Sequence, residues 1–236
     1  LAQARGARVI LSVNDPLLPL LQNAVPAVPV IGLEQVPDSF DYHIALMSMP
    51  LALGIDIPEM GRYLAAEPSR VAQWRERIGG DGYRIAIAWQ GDAAAMGAEG
   101  KSFPVSALAR IAAIPGVRLI NLQKNAGAEQ LGQLPPGMVV ENFADFDDGP
   151  GAFLDSAAIL ENCDLVISCD TALAHLAGAL AVPNWIALKY VPEWRWFLGR
   201  SDTPWYPNTR LFRQAAPGDW SSVFDAMEAE LASRKF

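Results

Sequence analysis

The chain has 236 residues, 51% hydrophobic and 19% charged, the balance of a soluble globular protein with a sizeable core. Twenty-six acidic residues against eighteen basic ones leave a net charge of −8; this excludes a broad nucleic-acid or anionic-membrane surface, so an anionic ligand needs a local basic pocket. No apolar run reaches the ~20 residues of a membrane span, no Cys/His cluster has metal-ligand spacing and no secretory leader is visible, which predicts a cytoplasmic protein with no integral membrane segment, no bound metal and no cofactor.

Residues 1–5 read as the last turn of a helix, with Gly6 at C′ and a strand over 8–13 behind it. A helix end without a helix start predicts a fragment cut inside its first βα unit; a native, frayed start is the alternative. Asn14-Asp15-Pro16 opens a short helix over 17–22, and 28–31 is a second short strand. A polar turn at 40–44 leads into an apolar, helix-like stretch at 45–53, which residues 54–58 end. An amphipathic helix over 69–78 lies between Pro68 and Gly79-Gly80 and marks a boundary. The predicted organisation is a partial first half (1–60), a linker (61–80) and a second half (81–236).

The second half is more regular. A strand over 83–89 is followed by a long Gly/Ala-rich loop, 90–101, and a helix over 105–114 that Pro115-Gly116 stops. Strands follow at 117–122 and 138–140, then a helix at 151–162. Residues 164–180, DLVISCDTALAHLAGAL, join a short apolar strand at 165–169 to an N-cap signal at Asp170-Thr171 and a small-residue helix from Ala172. A strand over 184–188, an aromatic-rich loop at 190–206, a strand at 210–213 and a helix at 221–233 close the chain. Cys163 and Cys169 flank an extended stretch that holds them apart, so both read as buried free thiols. Strands alternating with helices predict a parallel sheet with ligands at the carboxyl ends of its strands.

By that rule four loops share one edge: Gln90/Gly91/Asp92 with Lys101, Gln123/Lys124, Asp170/Thr171/Ala172 with His175, and Trp194/Arg195/Trp196. Cations, free amides at a helix N-terminus and an aromatic slot suit a nucleoside diphosphate. The plain alternatives are an ordinary βα turn at 164–180, solvated loop lysines, a core or capping His175, and core or interface tryptophans. No G-x-G-x-x-G and no P-loop appear.

The 164–180 segment, GKSFP at 100–104, INLQK at 120–124, the tryptophan-rich 190–214 and FDYHIALMSMPLALG at 40–54 together resemble the C-terminal region of bacterial tetratricopeptide-repeat glycosyltransferase-like proteins. That region is similar to the heptosyltransferases of glycosyltransferase family 9 and, more distantly, to O-linked N-acetylglucosamine transferases. The resemblance implies an α/β, GT-B-like fold of two Rossmann-like parallel-sheet halves, the first truncated at its N-terminus. It also implies inverting, metal-independent transfer from a nucleotide sugar to an acceptor hydroxyl on a glycan, a lipid-linked sugar or a protein, with N-terminal repeats in a longer parent. Asp170, Thr171, Ala172 and Lys101 then match the family's diphosphate-holding turn and lysine. Gln90, Gly91, Gln123, Lys124, His175, Trp194 and Arg195 complete the expected donor site. The family's catalytic aspartate lies on a loop upstream of Leu1, so His43, the one histidine of the first half, is the candidate base, a structural hydrogen bond being its rival role. Two other readings remain: a non-catalytic scaffold beside helical repeats, and an epimerase-like enzyme of the same fold.

Overall fold

The computed structural model describes residues 1–24, 27–56, 61–92, 94 and 97–234. Residues 57 and 58 of the expected stop at 54–58, and 93, 95 and 96 of the expected loop at 90–101, lie outside the described residues. The chain is α/β with all-parallel sheets, as the sequence predicts. A two-stranded sheet pairs β1 (Leu11–Val13) with β2 (Val30–Gly32). A six-stranded sheet holds β3 (Tyr83–Ala88), β4 (Val117–Asn121), β5 (Val140–Glu141), β6 (Leu165–Cys169), β7 (Asn184–Leu188) and β8 (Thr209–Arg213) in the order β5-β4-β3-β6-β7-β8. The chain runs outward from β3 to β5, then returns to the other side at β6. The β3/β6 boundary is therefore the topological switch point, where open parallel sheets hold ligands.

Period-two alternation makes the large sheet two-faced. Ala86, Ala88, Ile120 and Val166 face one apolar layer, with Trp74 and Ile78 of α3 (Pro68–Ile78), Ala157–Leu160 of α5 (Leu154–Leu160) and Leu173, Leu176 and Ala177 of α6 (Ala172–Ala179). Ile85, Ile87, Leu119, Leu165, Ile167 and Cys169 face the other, with Leu108, with Ile111 of α4 (Ala109–Ala112) and with Val223, Phe224, Met227 and Leu231 of α7 (Trp220–Ala232). Each fully buried Val, Leu or Ile among them contributes about 1.5–3 kcal/mol. An exposed pair such as Arg110–Asp225 contributes about 0–1 kcal/mol. Apolar burial therefore dominates.

Departures from the predicted elements have local causes. The strand expected at 8–13 shortens to three residues because β2, which starts after Pro29, offers Leu11 through Val13 only Val30, Ile31 and Gly32 as partners. The helix expected at 105–114 begins as a 3-10 turn, Val105–Leu108, and becomes α-helical only at Ala109. Its buried positions are Val105, Leu108 and Ile111, a spacing of three that suits the eclipsed 3-10 face. The stretch expected at 45–53 is a 3-10 turn, Leu46–Ser48, plus the short α2 (Met49–Leu53), and Leu46, Met47 and Leu51 are exposed. Both cysteines are buried free thiols, pushed up to about 12 by desolvation. Among the described residues no helix is long and apolar enough to cross a membrane.

The first half docks on the second through α1 (Leu18–Ala24), whose Leu20 joins the layer containing α3 and α5. The Ala152 N–H donates to Pro16 O at 2.6 Å, fastening the two halves beside the switch point.

Candidate functional site

The site starts from the β6–α6 turn. All five residues of β6 are buried, so the strand is fixed on both faces and its carboxyl end is rigid. Thr171 takes the N-cap position in extended conformation, yet its hydroxyl bonds no helix amide, against the capping role its sequence position predicts. Thr171 Oγ1 is buried with no hydrogen-bond partner; of the first-turn amides of α6, that of Ala174 closes on Thr171 O at 3.1 Å, while those of Ala172 and Leu173 lie ahead of the intrahelical ladder. Across the switch point a Cβ on Gly91 would come within 3.2 Å of Thr171 Cγ2. The Gly91 backbone thus lies close against the Thr171 methyl.

Gln123 shapes the facing wall. Its Oε1 accepts from the N–H groups of Trp89 (3.0 Å) and Gln90 (2.9 Å), while its Nε2 donates to Gln90 O (2.9 Å) and Ala126 O (2.7 Å). This buried amide clamps the ends of β3 and β4 together. Its polar atoms are engaged by the backbone, so the expected donor contact becomes a structural one. Lys124 reaches across to Asp148 at 2.7 Å and to the carbonyl of Phe146, with its ammonium 5.1 Å from the Phe146 ring.

Between these walls lies a cavity of about 550 Å³ lined by Gln90, Gly91, Gln123, Lys124, Thr171 and Ala172, six of the eleven expected donor-site residues. The loop before α5 supplies a further wall that the sequence reading missed: Phe146, Asp147, Gly149, Gly151, Ala152 and Phe153. It follows β5, so the carboxyl-end rule that selected the other loops also selects this one. Asp147 is occupied there, accepting from the Asp155 N–H (2.7 Å) and the Ser156 hydroxyl (2.5 Å). Asp155 in turn accepts from Arg70 (2.7 Å) and Trp74 (2.9 Å) of α3. Its carboxyl stays below the usual range because those bonds, with that from the Asp147 N–H, outweigh the larger single effect of burial.

The other expected residues stand elsewhere. Lys101 and Asp170 do not line the cavity; they form an ion pair of 2.9 Å just before Thr171, with the Asp170 side chain 8% exposed. Lys189 holds the loop that carries Lys101, donating to Gly97 O and Glu99 O. His175 is turned away from the cavity. Its Nδ1 meets Tyr206 Oη at 2.9 Å, its ring stacks on buried Trp196 with centroids 5.2 Å apart, and burial lowers its pKa. This is the core role that the sequence left open. The fourth loop does not join the other three. Trp194 is exposed, and Arg195 pairs with Glu193 (2.7 Å) and points to Met47 Sδ (3.6 Å) on the first half. The aromatic residues that line the cavity are Phe146 and Phe153, not the tryptophans. His43 is exposed against Phe40 and lines neither this cavity nor the one beside it, which removes the geometric case for it as a base.

The arrangement offers free helix amides, an orphaned hydroxyl and lysines held on acidic partners, at the mouth of a parallel-sheet switch point. Such a set of groups is chemically suited to an anion carrying an aromatic or apolar group. The Caulobacter vibrioides protein FlbA is 27% identical over 244 aligned residues, covering 94% of this chain and 40% of FlbA. The solved structure of E. coli ADP-heptose lps heptosyltransferase II is similar in fold, with a TM-score of 0.54 and 15% identity over 77% of this chain and 56% of that one. The chain thus spans two-fifths of one relative's length and little more than half of the other's. The family model for glycosyltransferase family 9 (heptosyltransferase) matches residues 44–196, and with most of the chain so matched, this chain belongs to glycosyltransferase family 9.

Proposed function

We propose that the cavity at the carboxyl ends of β3, β4 and β6 binds a nucleoside-diphosphate sugar and that the chain takes part in transferring that sugar, with inversion and without a metal, to an acceptor hydroxyl. The observation that carries this reading is the β6–α6 mouth, where Thr171 Oγ1 is buried without a partner and no side chain caps the helix, opposite Gly91. A diphosphate satisfies that hydroxyl and the leading amides of α6 at once. Lys124 on the facing wall, and Lys101 beside Thr171, supply positive charge as the diphosphate leaves. Phe146 and Phe153 give the base an apolar face. The glycan, lipid-linked or protein acceptor, a cytoplasmic site of action and neighbouring helical repeats in a parent chain belong to the same proposal through the sequence resemblance.

The scaffold reading has one observation in its favour: both lysines are engaged by carboxylates, Lys101 by Asp170 and Lys124 by Asp148. Calorimetric titration of UDP, GDP, ADP and CDP separates the two. The donor reading predicts that at least one diphosphate binds, and that Lys101→Ala weakens it roughly tenfold, about 1.4 kcal/mol. If none of the four binds, the scaffold reading stands instead.

A further inference from the structure

Between Arg8 and Arg62 the sequence has six carboxylates and neither an arginine nor a lysine. Within that span, residues 33–48 are exposed at every position but Pro37, and residues 33–45 lie outside every helix and strand. None of them joins a core layer. Yet the stretch is far from polar. Phe40, Tyr42, Leu46 and Met47 are exposed, as is Leu51 of α2, with Tyr42 at 93% and Leu51 at 86%. Holding so many large apolar side chains in water gains the chain nothing by itself, and such patches mark interaction sites. The face continues onto the second half. Arg195 Nη2 lies 3.6 Å from Met47 Sδ, and the same guanidinium lies over the exposed Trp194 ring, 4.9 Å from its centroid. Glu193 pairs with that arginine at 2.7 Å, so the cation adds no net charge. The face shares no lining residue with the donor cavity.

Charge selects the occupant. The exposed side chains of Glu34, Asp38 and Asp41 make no hydrogen bond or ion pair with any described residue. They repel an anionic membrane. A second copy meeting the same face would set these carboxylates against their own counterparts. A second copy meeting it with another surface would need a basic patch, and most arginines and lysines of the second half are already in ion pairs. The face also carries no strand, so it offers no edge for strand addition; side chains alone must recognise the partner. We infer that residues 33–51, with Trp194, dock a basic amphipathic helix of a partner protein. Its apolar stripe packs on the exposed aromatic and aliphatic side chains, with Trp194 as an anchor of the kind that dominates interfaces. Its lysines or arginines pair with Glu34, Asp38 and Asp41.

The test uses the chain as it stands and three peptide probes: a Leu/Lys peptide with helical period, the same residues in an order that breaks the period, and a Leu/Glu peptide with helical period. Calorimetric titration should show binding of the first alone, weakening as salt rises. Hydrogen exchange in that complex should slow at residues 40–51. Leu46→Ser with Leu51→Ser, and separately Asp38→Asn with Asp41→Asn, should each weaken binding roughly tenfold. Glu76→Gln, on exposed α3 surface, should leave it unchanged. All five side chains are exposed, so circular dichroism should show each variant folded. The assignment is overturned if the Leu/Lys helix does not bind, if either other peptide binds as well, if the paired variants keep wild-type affinity, or if protection falls elsewhere. It is equally overturned if phosphatidylserine vesicles retain the chain in flotation, or if sedimentation shows a dimer that Leu46→Ser with Leu51→Ser dissociates.

Discussion

Replacing Gln123 with Met tests whether one buried amide holds the donor cavity's rear wall. Methionine fills nearly the same volume, so the cavity contribution is small and the loss is polar. The Trp89 N–H, on a residue with 0% exposure, loses its acceptor outright, while that of Gln90 sits at the cavity edge where water can enter. The carbonyls of Gln90 and Ala126 lose a donor each but keep lone pairs available to water. An orphaned buried amide costs about 1–3 kcal/mol. One fully and one partly orphaned N–H, with the carbonyls, come to about 2–4 kcal/mol, a large share of the ~5–15 kcal/mol that a folded protein holds. At about 2–4 °C per kcal/mol for a chain of this size, the melting temperature should drop by about 5–15 °C. Thermal and urea unfolding followed by circular dichroism read this directly. A Met variant melting within about 2 °C of the wild type would refute the clamp.

Two further outcomes follow from charge. Asp148→Asn frees the Lys124 ammonium; since the pair is largely exposed, diphosphate affinity should rise only a few-fold, less than about 1 kcal/mol, and unchanged or weaker affinity in calorimetry would remove Lys124 from the phosphate. Burial lowers the folded pKa of His175 below its ordinary value of about 6.5, so the unfolded chain takes up the proton first. Its contribution to stability is complete above about pH 6.5 and is lost as the pH falls below it. The pKa of Asp155 is also lowered, from 3.8, so its contribution is lost only as the pH falls through the acid range below about 3.8. Urea midpoints compared at pH 7.5 and 5 should fall for the wild type and much less for His175→Gln; equal drops in both would contradict a buried neutral His175.

The large sheet was legible because its strands are short, apolar and set off by polar or glycine-rich turns. β6 and β7 match their predicted bounds, since burial on both faces leaves a continuous apolar run. The first half was read less well. Its strands are only as long as each other, and its apolar residues at 46–51 face solvent, so pattern and burial part company there. At the site, position in the chain was enough to identify Gly91, Lys124, Thr171 and Ala172 as neighbours, because each follows a parallel strand. Rotamer and partner were not legible: Gln123 turns inward to backbone groups, Lys101 to Asp170, and His175 onto Trp196. The cavity wall at 146–153 went unread although the same rule reaches it.

The most direct test of the account is a crystal structure of the chain soaked with the tightest-binding nucleoside diphosphate. The account predicts diphosphate density at the N-terminus of α6, within hydrogen-bond distance of the Thr171 hydroxyl and the Ala172 amide, with the base against Phe146 and Phe153. A nucleotide bound elsewhere, with Thr171 Oγ1 still unpartnered, would contradict it.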